Sequence, residues 1–127
     1  MKNAIVPVSL GELFDKWVIL HVKAAKITND AKLKNIFIEI EHLRNQVESF
    51  NIDTRFWDEL YEVNDKLWEI EDKIRIKEKN QEFDNEFIQL ARSVYFTNDR
   101  RSDIKREINL KYESGIIEEK SYQDYKS

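Results

Sequence analysis

The segment between residues 33 and 47 repeats apolar residues at intervals of three and four positions. The repeat consists of Leu33, Ile36, Phe37, Ile40, Leu43 and Val47. This spacing places all six side chains on one face of an α-helix. The 127 residues include only two glycines and one proline, which are too few for the many turns that a sheet requires. The sequence therefore predicts an all-α protein built from a few long helices.

Capping residues mark the first two predicted helices. Ser9 and Glu12 have the S-x-x-E form of a capping box, in which each side chain bonds the backbone amide of the other residue. The first helix is predicted to begin there and to run to about Ile27. The segment Thr28-Asn29-Asp30 then ends it and caps a second helix, which runs to about Glu48.

The third and fourth predicted helices are longer than the first two. Asp53 or Thr54 caps the third helix, which runs to about Lys79, and the fourth begins near Asp84. The fourth helix either continues to Tyr112 or breaks at residues 97–99 to form a fifth helix. Neither glycine nor proline occurs there, so the sequence favours one long helix, bent or unbroken.

These elements predict an antiparallel bundle of four, or five, helices in one domain that spans residues 1–127. The length is that of one ordinary domain. The last segment, IIEEKSYQDYKS, carries Ile116, Ile117, Tyr122 and Tyr125, so we expect part of this C-terminal tail to dock on the bundle. The third and fourth helices have more apolar and aromatic positions than a monomer of this size covers, and we therefore expect a homodimer.

Composition excludes several classes of site and partner. The net charge of −4 argues against nucleic acid as a partner, since proteins that bind it usually present a basic face. The absence of cysteine excludes disulfides, thiolate metal sites and a cysteine nucleophile. The longest strongly apolar run, Trp17 to Val22, is far short of the roughly 20 residues of a membrane span. We expect a cytoplasmic protein with no membrane partner.

No pattern of metal ligands or cofactor motif is convincing. The carboxylate pairs Glu59/Glu62 and Glu69/Asp72 have helical spacing, but they share one helix, whereas helical nucleotide pyrophosphohydrolases place such pairs on separate helices. The two histidines stand alone on their helices, so a zinc site is not predicted, and His21 is expected in the core. Glycine-rich nucleotide motifs are absent. We expect no metal and no cofactor.

The inner faces of the third and fourth helices change from apolar to polar along their length. The stripe of the third helix is Trp57, Leu60, Asn64, Leu67, Glu71, Ile74 and Glu78, and that of the fourth is Phe87, Leu90, Val94, Asn98, Arg101, Lys105, Ile108 and Tyr112. We call Asn64, Glu71, Asn98, Arg101 and Lys105 the polar seam. Because consecutive helices of a bundle usually pack antiparallel, these residues are expected to meet, with Glu71 coupled to Arg101.

Two interpretations of the polar seam remain open. In the structural one, Arg101 and Lys105 extend their charged ends to water, and Asn64 sets the register of the helices. In the functional one, a groove binds an anionic small metabolite through a carboxylate or phosphate. The candidate ligand-binding residues are Arg92, Asn98, Arg100, Arg101 and Lys105, with Asn64, and Glu71 or Asp72 is the candidate general acid or base.

The functional interpretation predicts, by analogy of fold, a cofactor-independent isomerase or lyase with a site like that of chorismate mutase. The alternative is a scaffold or interaction protein that has no enzyme activity and docks on a partner through its helices. A pocket lined by Arg101, Lys105 and Glu71 would favour the first, and an exposed apolar patch would favour the second. The sequence leaves open whether the protein is an enzyme.

Five short motifs resemble a family of small uncharacterised proteins of bacteria and their viruses, a domain of unknown function. They are GE-x-x-DK from Gly11, LW-x-IED from Leu67, ARSVY-x-TNDRR from Ala91, K-x-x-IN from Lys105 and EEKSY from Glu118. The resemblance covers most of the chain, although Trp17-Val18 replaces smaller polar or β-branched residues. It implies a bacterial or phage protein of the cytoplasm with no assigned reaction. Many motif residues are polar, which favours a site over a core.

Overall fold

The computed structural model describes residues 2–126 and contains four α-helices in that range. They are α1 (Leu10–Lys26), α2 (Asp30–Ser49), α3 (Thr54–Lys79) and α4 (Asn85–Lys111). No strand occurs in the part of the chain that the structure describes. The prediction of an all-α protein with long third and fourth helices is confirmed, and α4 continues without a break through residues 97–99.

Each helix begins at a side-chain cap, and the sequence predicts this for the first three helices and predicts the start of the fourth near Asp84. The side chains of Ser9, Asn29 and Asp84 accept the backbone amide three residues further on, and Asp53 accepts the amide two residues further on. The second predicted bond of the capping box, from the backbone amide of Ser9 to the side chain of Glu12, is wrong. The carboxylate of Glu12 instead pairs with Lys105 of α4.

The first amides of α1 are bonded by the far end of α4. The amide of Gly11 donates to Asn109 Oδ1 at 2.7 Å, and that of Leu10 donates to Ser114 Oγ at 3.1 Å. An α-helix leaves its first four amides without a partner inside the helix. Side chains at the end of α4 therefore complete α1, which ties the start of one helix to the end of the other.

Helix α1 lies at the centre of the bundle and contacts the other three helices, whereas α2 packs on α1 alone within residues 2–126. Lys77 near the end of α3 pairs with Asp84 and Glu86 at the start of α4, while Arg55 at the start of α3 pairs with Glu107 near the end of α4. The helices α3 and α4 therefore run past each other in opposite directions.

The hydrophobic core lies where α1 packs against α2, the first half of α3 and the last third of α4. Its most deeply buried side chains include Val18, Leu20, Phe56, Leu60 and Ile108. Beyond this core, α3 and α4 continue as a pair of helices that we call the hairpin tip, residues 70–96. Its predicted inner positions, Ile74, Phe87, Leu90 and Val94, are only half-buried, and Ile76, Phe83, Ile88, Tyr95 and Phe96 are exposed.

The C-terminal tail contacts α4 mainly through polar groups. Glu118 accepts the Ser9 hydroxyl at 2.7 Å, and Arg106 pairs with Glu119 at 3.3 Å. The hydroxyl of Tyr125 donates to Asp99. The tail residues that the sequence offered for docking are all exposed, namely Ile116, Ile117, Tyr122 and Tyr125. Of these, Tyr125 packs its ring on α4, with centroids 5.2 Å from Tyr95 and 5.3 Å from Phe96.

His21 lies between two aromatic rings, with ring centroids 4.7 Å from Trp17 and 4.9 Å from Trp57. Its Nε2 atom is buried and has no hydrogen-bond partner within residues 2–126. Burial, and secondarily the charge of Arg44, lower the pKa of His21. The imidazole therefore packs as a neutral ring.

Gly11 sits where α1 approaches α4 most closely. A Cβ atom at this position would lie 2.4 Å from the backbone oxygen of Lys105, which is shorter than a carbon and an oxygen that are not bonded to each other can approach. A substitution must push the two helix backbones apart, because a carbonyl of an intact helix cannot move by itself. Glycine is therefore required by the contact between helices and not by the backbone conformation at that residue.

We predict that Gly11→Ala lowers the free energy of unfolding by roughly 1–3 kcal/mol, the usual cost of overpacking. Urea denaturation followed by circular dichroism measures this change. Gly115→Ala is the matched control, because a Cβ there has no atom within 4 Å, and it should change stability by less than about 0.5 kcal/mol. Equal effects of the two substitutions would contradict the close contact of α1 with α4.

Candidate functional site

A buried carboxylate on α1 joins three helices. The side chain of Asp15 is fully buried. Its Oδ1 accepts Asn64 Nδ2 of α3 at 2.9 Å, and its Oδ2 accepts Nε and Nη2 of Arg101 of α4 at 2.9 and 2.5 Å. Asn64 Nδ2 also donates to the carbonyl of Leu60. We call Asp15, Asn64 and Arg101 the Asp15 junction, in which Asn64 and Arg101 both donate to the carboxylate of Asp15.

Arg101 is the partly exposed member of the Asp15 junction. Its side chain is 28% exposed. Burial alone lowers the pKa of Arg101, but the hydrogen bonds and charge of Asp15, with the charges of Glu12 and Glu118, raise that pKa on balance. The guanidinium is therefore a fixed cation. Its Nη1 makes no hydrogen bond within residues 2–126, so one edge of the group is free.

Lys105 forms a separate ion pair one turn further along α4. Its ammonium lies 2.5 Å from Glu12 Oε2 and 3.9 Å from Glu118 Oε1, and its side chain is 16% exposed. It lines a shallow cavity of about 270 Å³ beneath the C-terminal tail, together with Arg106, Asn109 and other residues. Lys105 therefore holds the start of α1 and the tail on α4.

A larger open cleft lies between α1, α3 and α4, and we call it the seam cleft. Its volume is about 470 Å³. Its apolar wall consists of Ile19, Val22, Leu67 and Trp68, and its polar wall consists of Asn64, Glu71, Asp72, Arg75, Asn98 and Arg101. A concave apolar surface with a few converging polar groups is the usual form of a small-molecule site.

The structure brings five of the eight sequence-predicted site residues together in the seam cleft, namely Asn64, Glu71, Asp72, Asn98 and Arg101. The other three lie elsewhere. Arg92 is exposed and its guanidinium lies over the ring of Phe96, Arg100 is exposed on α4, and Lys105 lines the smaller cavity. The cationic side of the cleft is therefore smaller than the sequence suggests.

The expected pairing of Glu71 with Arg101 is wrong. Glu71 is half-buried and pairs with Arg75 of its own helix at 3.4 Å, whereas Arg101 pairs with Asp15. Sequence reasoning compared only α3 with α4 and so missed the acid on α1. Asp15 did carry a signal, since it is a carboxylate inside the mainly apolar segment from Leu13 to Val22 and lies one turn after Gly11.

Neither a cluster of metal ligands nor a membrane-spanning helix is found among residues 2–126. Among residues 2–126, histidine, aspartate and glutamate do not form a group of three or more that could hold a metal ion. Across the same residues, every helix is too short or too polar to cross a membrane.

We predict that Arg101→Met lowers the free energy of unfolding by roughly 3–5 kcal/mol, because it leaves Asp15 charged, buried and without its cation. The double variant Asp15→Leu with Arg101→Met should be close to the wild type in stability, since apolar residues of similar volume replace the whole pair. Urea denaturation of the single and double variants measures this coupling.

The control for this experiment is Glu71→Leu, which removes only a surface pair within α3 and should change stability by about 0.5 kcal/mol or less. A double variant as unstable as the sum of Asp15→Leu and Arg101→Met would show that the two residues do not interact.

The resemblance to an uncharacterised family is supported by comparison with known proteins. Residues 3–127 match the model of a family of unknown function, DUF6165. Comparisons with curated proteins and with solved structures find no match. Because the family model covers all but the first two residues, the chain belongs to this family of unknown function, DUF6165.

Proposed function

We propose that the seam cleft binds a small metabolite through a carboxylate or phosphate group. The observation that carries this proposal is the fixed guanidinium of Arg101. Two of its donor atoms are held by the buried Asp15, its Nη1 makes no hydrogen bond within residues 2–126, and the residue lines the cleft. A guanidinium that is already oriented loses little conformational freedom when it binds an anion.

Neighbouring groups add to this binding surface. Asn98 is half-buried at the cleft, and its side-chain amide makes no hydrogen bond within the described part of the chain. Arg75 is 77% exposed and lies at the opposite end of the cleft. The ring of Trp68 supplies apolar area for the body of a ligand. These groups give the cleft both an anion site and an apolar wall.

The proposal concerns binding and does not extend to an isomerase or lyase reaction. The candidate acid–base residues Glu71 and Asp72 are half-buried and exposed, respectively. A catalytic role for either one requires a ligand position that places its carboxylate at the reacting atoms. Their placement on the wall of an open cleft supports a role in holding the ligand.

We predict that anionic metabolites raise the melting temperature of the protein. A ligand at ten times its Kd stabilises the native state by about 1.4 kcal/mol, which corresponds to a shift of a few degrees. Differential scanning fluorimetry with phosphates, sugar nucleotides and dicarboxylates at constant ionic strength measures this shift. Asn98→Ala and the stable double variant of Asp15 and Arg101 should reduce or abolish it.

Arg100→Gln is the matched control, because it removes a neighbouring guanidinium that does not line the cleft and should leave the shift unchanged. A panel that gives no shift beyond the general effect of salt would contradict the proposal. A shift that Arg100→Gln abolishes would place the anion outside the cleft.

A second function, self-association through the hairpin tip, is favoured by the exposed surface of the chain. The solvent-accessible area is 9193 Å². A compact monomer with a mass of 15.3 kDa should expose only about 7,100 Å². The excess exceeds the roughly 800 Å² that each partner usually buries in a stable complex. Ile88 and Tyr95, both exposed, lie on one face of α4 at the tip.

We predict a dimer with twice the chain mass of 15.3 kDa, in which two hairpin tips pack as a four-helix bundle. Light scattering after size-exclusion chromatography measures the mass. Ile88→Glu should give the monomer mass, because it places a charge in the apolar interface. The control Ile5→Glu changes an exposed isoleucine of the N-terminal arm and should leave the dimer intact. A monomeric wild type at high concentration would contradict the model.

A further inference from the structure

We infer that the ligand of the seam cleft is dipolar, with an amine at one end, a flat apolar body, and a carboxylate or phosphate at the other end. This inference rests on the proposed function and specifies the class of compound that the cleft binds. Three observations on the cleft carry it: the balance of its charges, one carboxylate without an ion-pair partner, and the order of the side chains along α3.

The charge balance of the cleft disfavours a ligand that carries only negative charge. Two guanidinium groups, Arg75 and Arg101, face three carboxylates, those of Glu71, Asp72 and the buried Asp15 behind Arg101. The neighbourhood is therefore slightly acidic, although one end of it presents a cation. A purely anionic ligand gains at Arg101 but is repelled by the uncompensated carboxylate. A ligand that also carries a cation removes this repulsion.

Of the two carboxylates that line the cleft, Asp72 is the one without an ion-pair partner among the described residues, since Glu71 pairs with Arg75. Its neighbours on α3 are paired, since Asp65 and Glu69 each lie 2.7 Å from Lys26 Nζ, and Glu71 lies 3.4 Å from Arg75. Asp72 lines the cleft and forms no ion pair with any cation in residues 2–126. An amine on the ligand would provide that partner without breaking an existing pair.

The order of side chains along α3 sets the shape of the ligand. Asn64, Trp68 and Asp72 are separated by four residues each, so they follow one another along one face of the helix. Asn64 and Arg101 donate to the same carboxylate, that of Asp15, so Asn64 lies at the cationic end of the cleft. Asp72 lies about 12 Å further along the helix axis, with Trp68 halfway between. The charges of the ligand are therefore separated by a body large enough to cover an indole ring.

Three probes of matched shape test this inference. They are 4-(aminomethyl)benzoate, which carries both charges, 4-methylbenzoate, which carries only the anion, and 4-methylbenzylamine, which carries only the cation. Titrations of the full-length ¹⁵N-labelled protein at pH 7 and constant ionic strength give Kd from the amide and indole resonances of the cleft. We expect the dipolar probe to bind at least tenfold more tightly than either other probe.

The variant Asp72→Asn should remove this preference by weakening the dipolar probe about tenfold while leaving 4-methylbenzoate unchanged or slightly tighter. The matched control Asp58→Asn changes an exposed aspartate of the same helix outside the cleft and should preserve the preference.

Equal affinity for the dipolar and anionic probes would overturn the inference and leave the proposed anion site standing. Tightest binding of the amine alone would overturn both, because Arg101 would then not recognise the ligand. A preference that survives Asp72→Asn would overturn the role of Asp72. If none of the probes shifts a cleft resonance, the inference fails, whereas the proposed function is judged separately by the melting experiment.

Discussion

The buried carboxylate of Asp15 fixes how α1, α3 and α4 fit together. Removing a carboxylate from water costs several kcal/mol unless strong hydrogen bonds replace the lost hydration. Here the donors come from Asn64 and Arg101 on two other helices, so the cost is offset only when all three helices are correctly placed. One turn earlier, Gly11 brings α1 against the backbone of α4 and the amide of Gly11 onto Asn109. A shift of α1 by a single turn would break both contacts, which makes the register of α1 highly specific.

This constraint also determines which charges are left for a ligand. Lys105 is held by Glu12 and the C-terminal tail, and two donor atoms of Arg101 are held by Asp15. The polar seam is therefore divided into a part that stabilises the bundle and a part that faces the cleft. The structural and functional interpretations of the seam are not exclusive, because Arg101 belongs to both parts. Its bonds to Asp15 orient the guanidinium of a residue that also lines the cleft.

Local features were predictable from the sequence, whereas pairing between helices was not. The caps at Ser9, Asn29 and Asp53 depend on neighbouring residues, so the starts of the first three helices followed directly from the sequence. Periodicity also identified the inner faces of α3 and α4 and hence five residues that line the cleft. It could not show that α1 inserts Asp15 between those faces, because a helical repeat describes one helix and not its partner. For the same reason Glu71 was assigned to Arg101, although Arg75 lies four residues away on its own helix.

Unequal helix length explains why the cleft and the hairpin tip lie next to each other. Helices α1 and α2 have 17 and 20 residues, whereas α3 and α4 have 26 and 27. The longer pair therefore extends beyond the shorter pair by roughly 10 Å or more, at about 1.5 Å per residue. The second half of α1, which includes Ile19 and Val22, covers only part of the groove between α3 and α4. The part that stays open is the seam cleft. The same overhang exposes the apolar residues of the tip. Asp72 and Arg75 lie at the boundary of the two features, so a second copy packed on the tip would enclose that end of the cleft. In the proposed dimer, a cleft enclosed in this way would have stronger ion pairs, because water would be excluded from them.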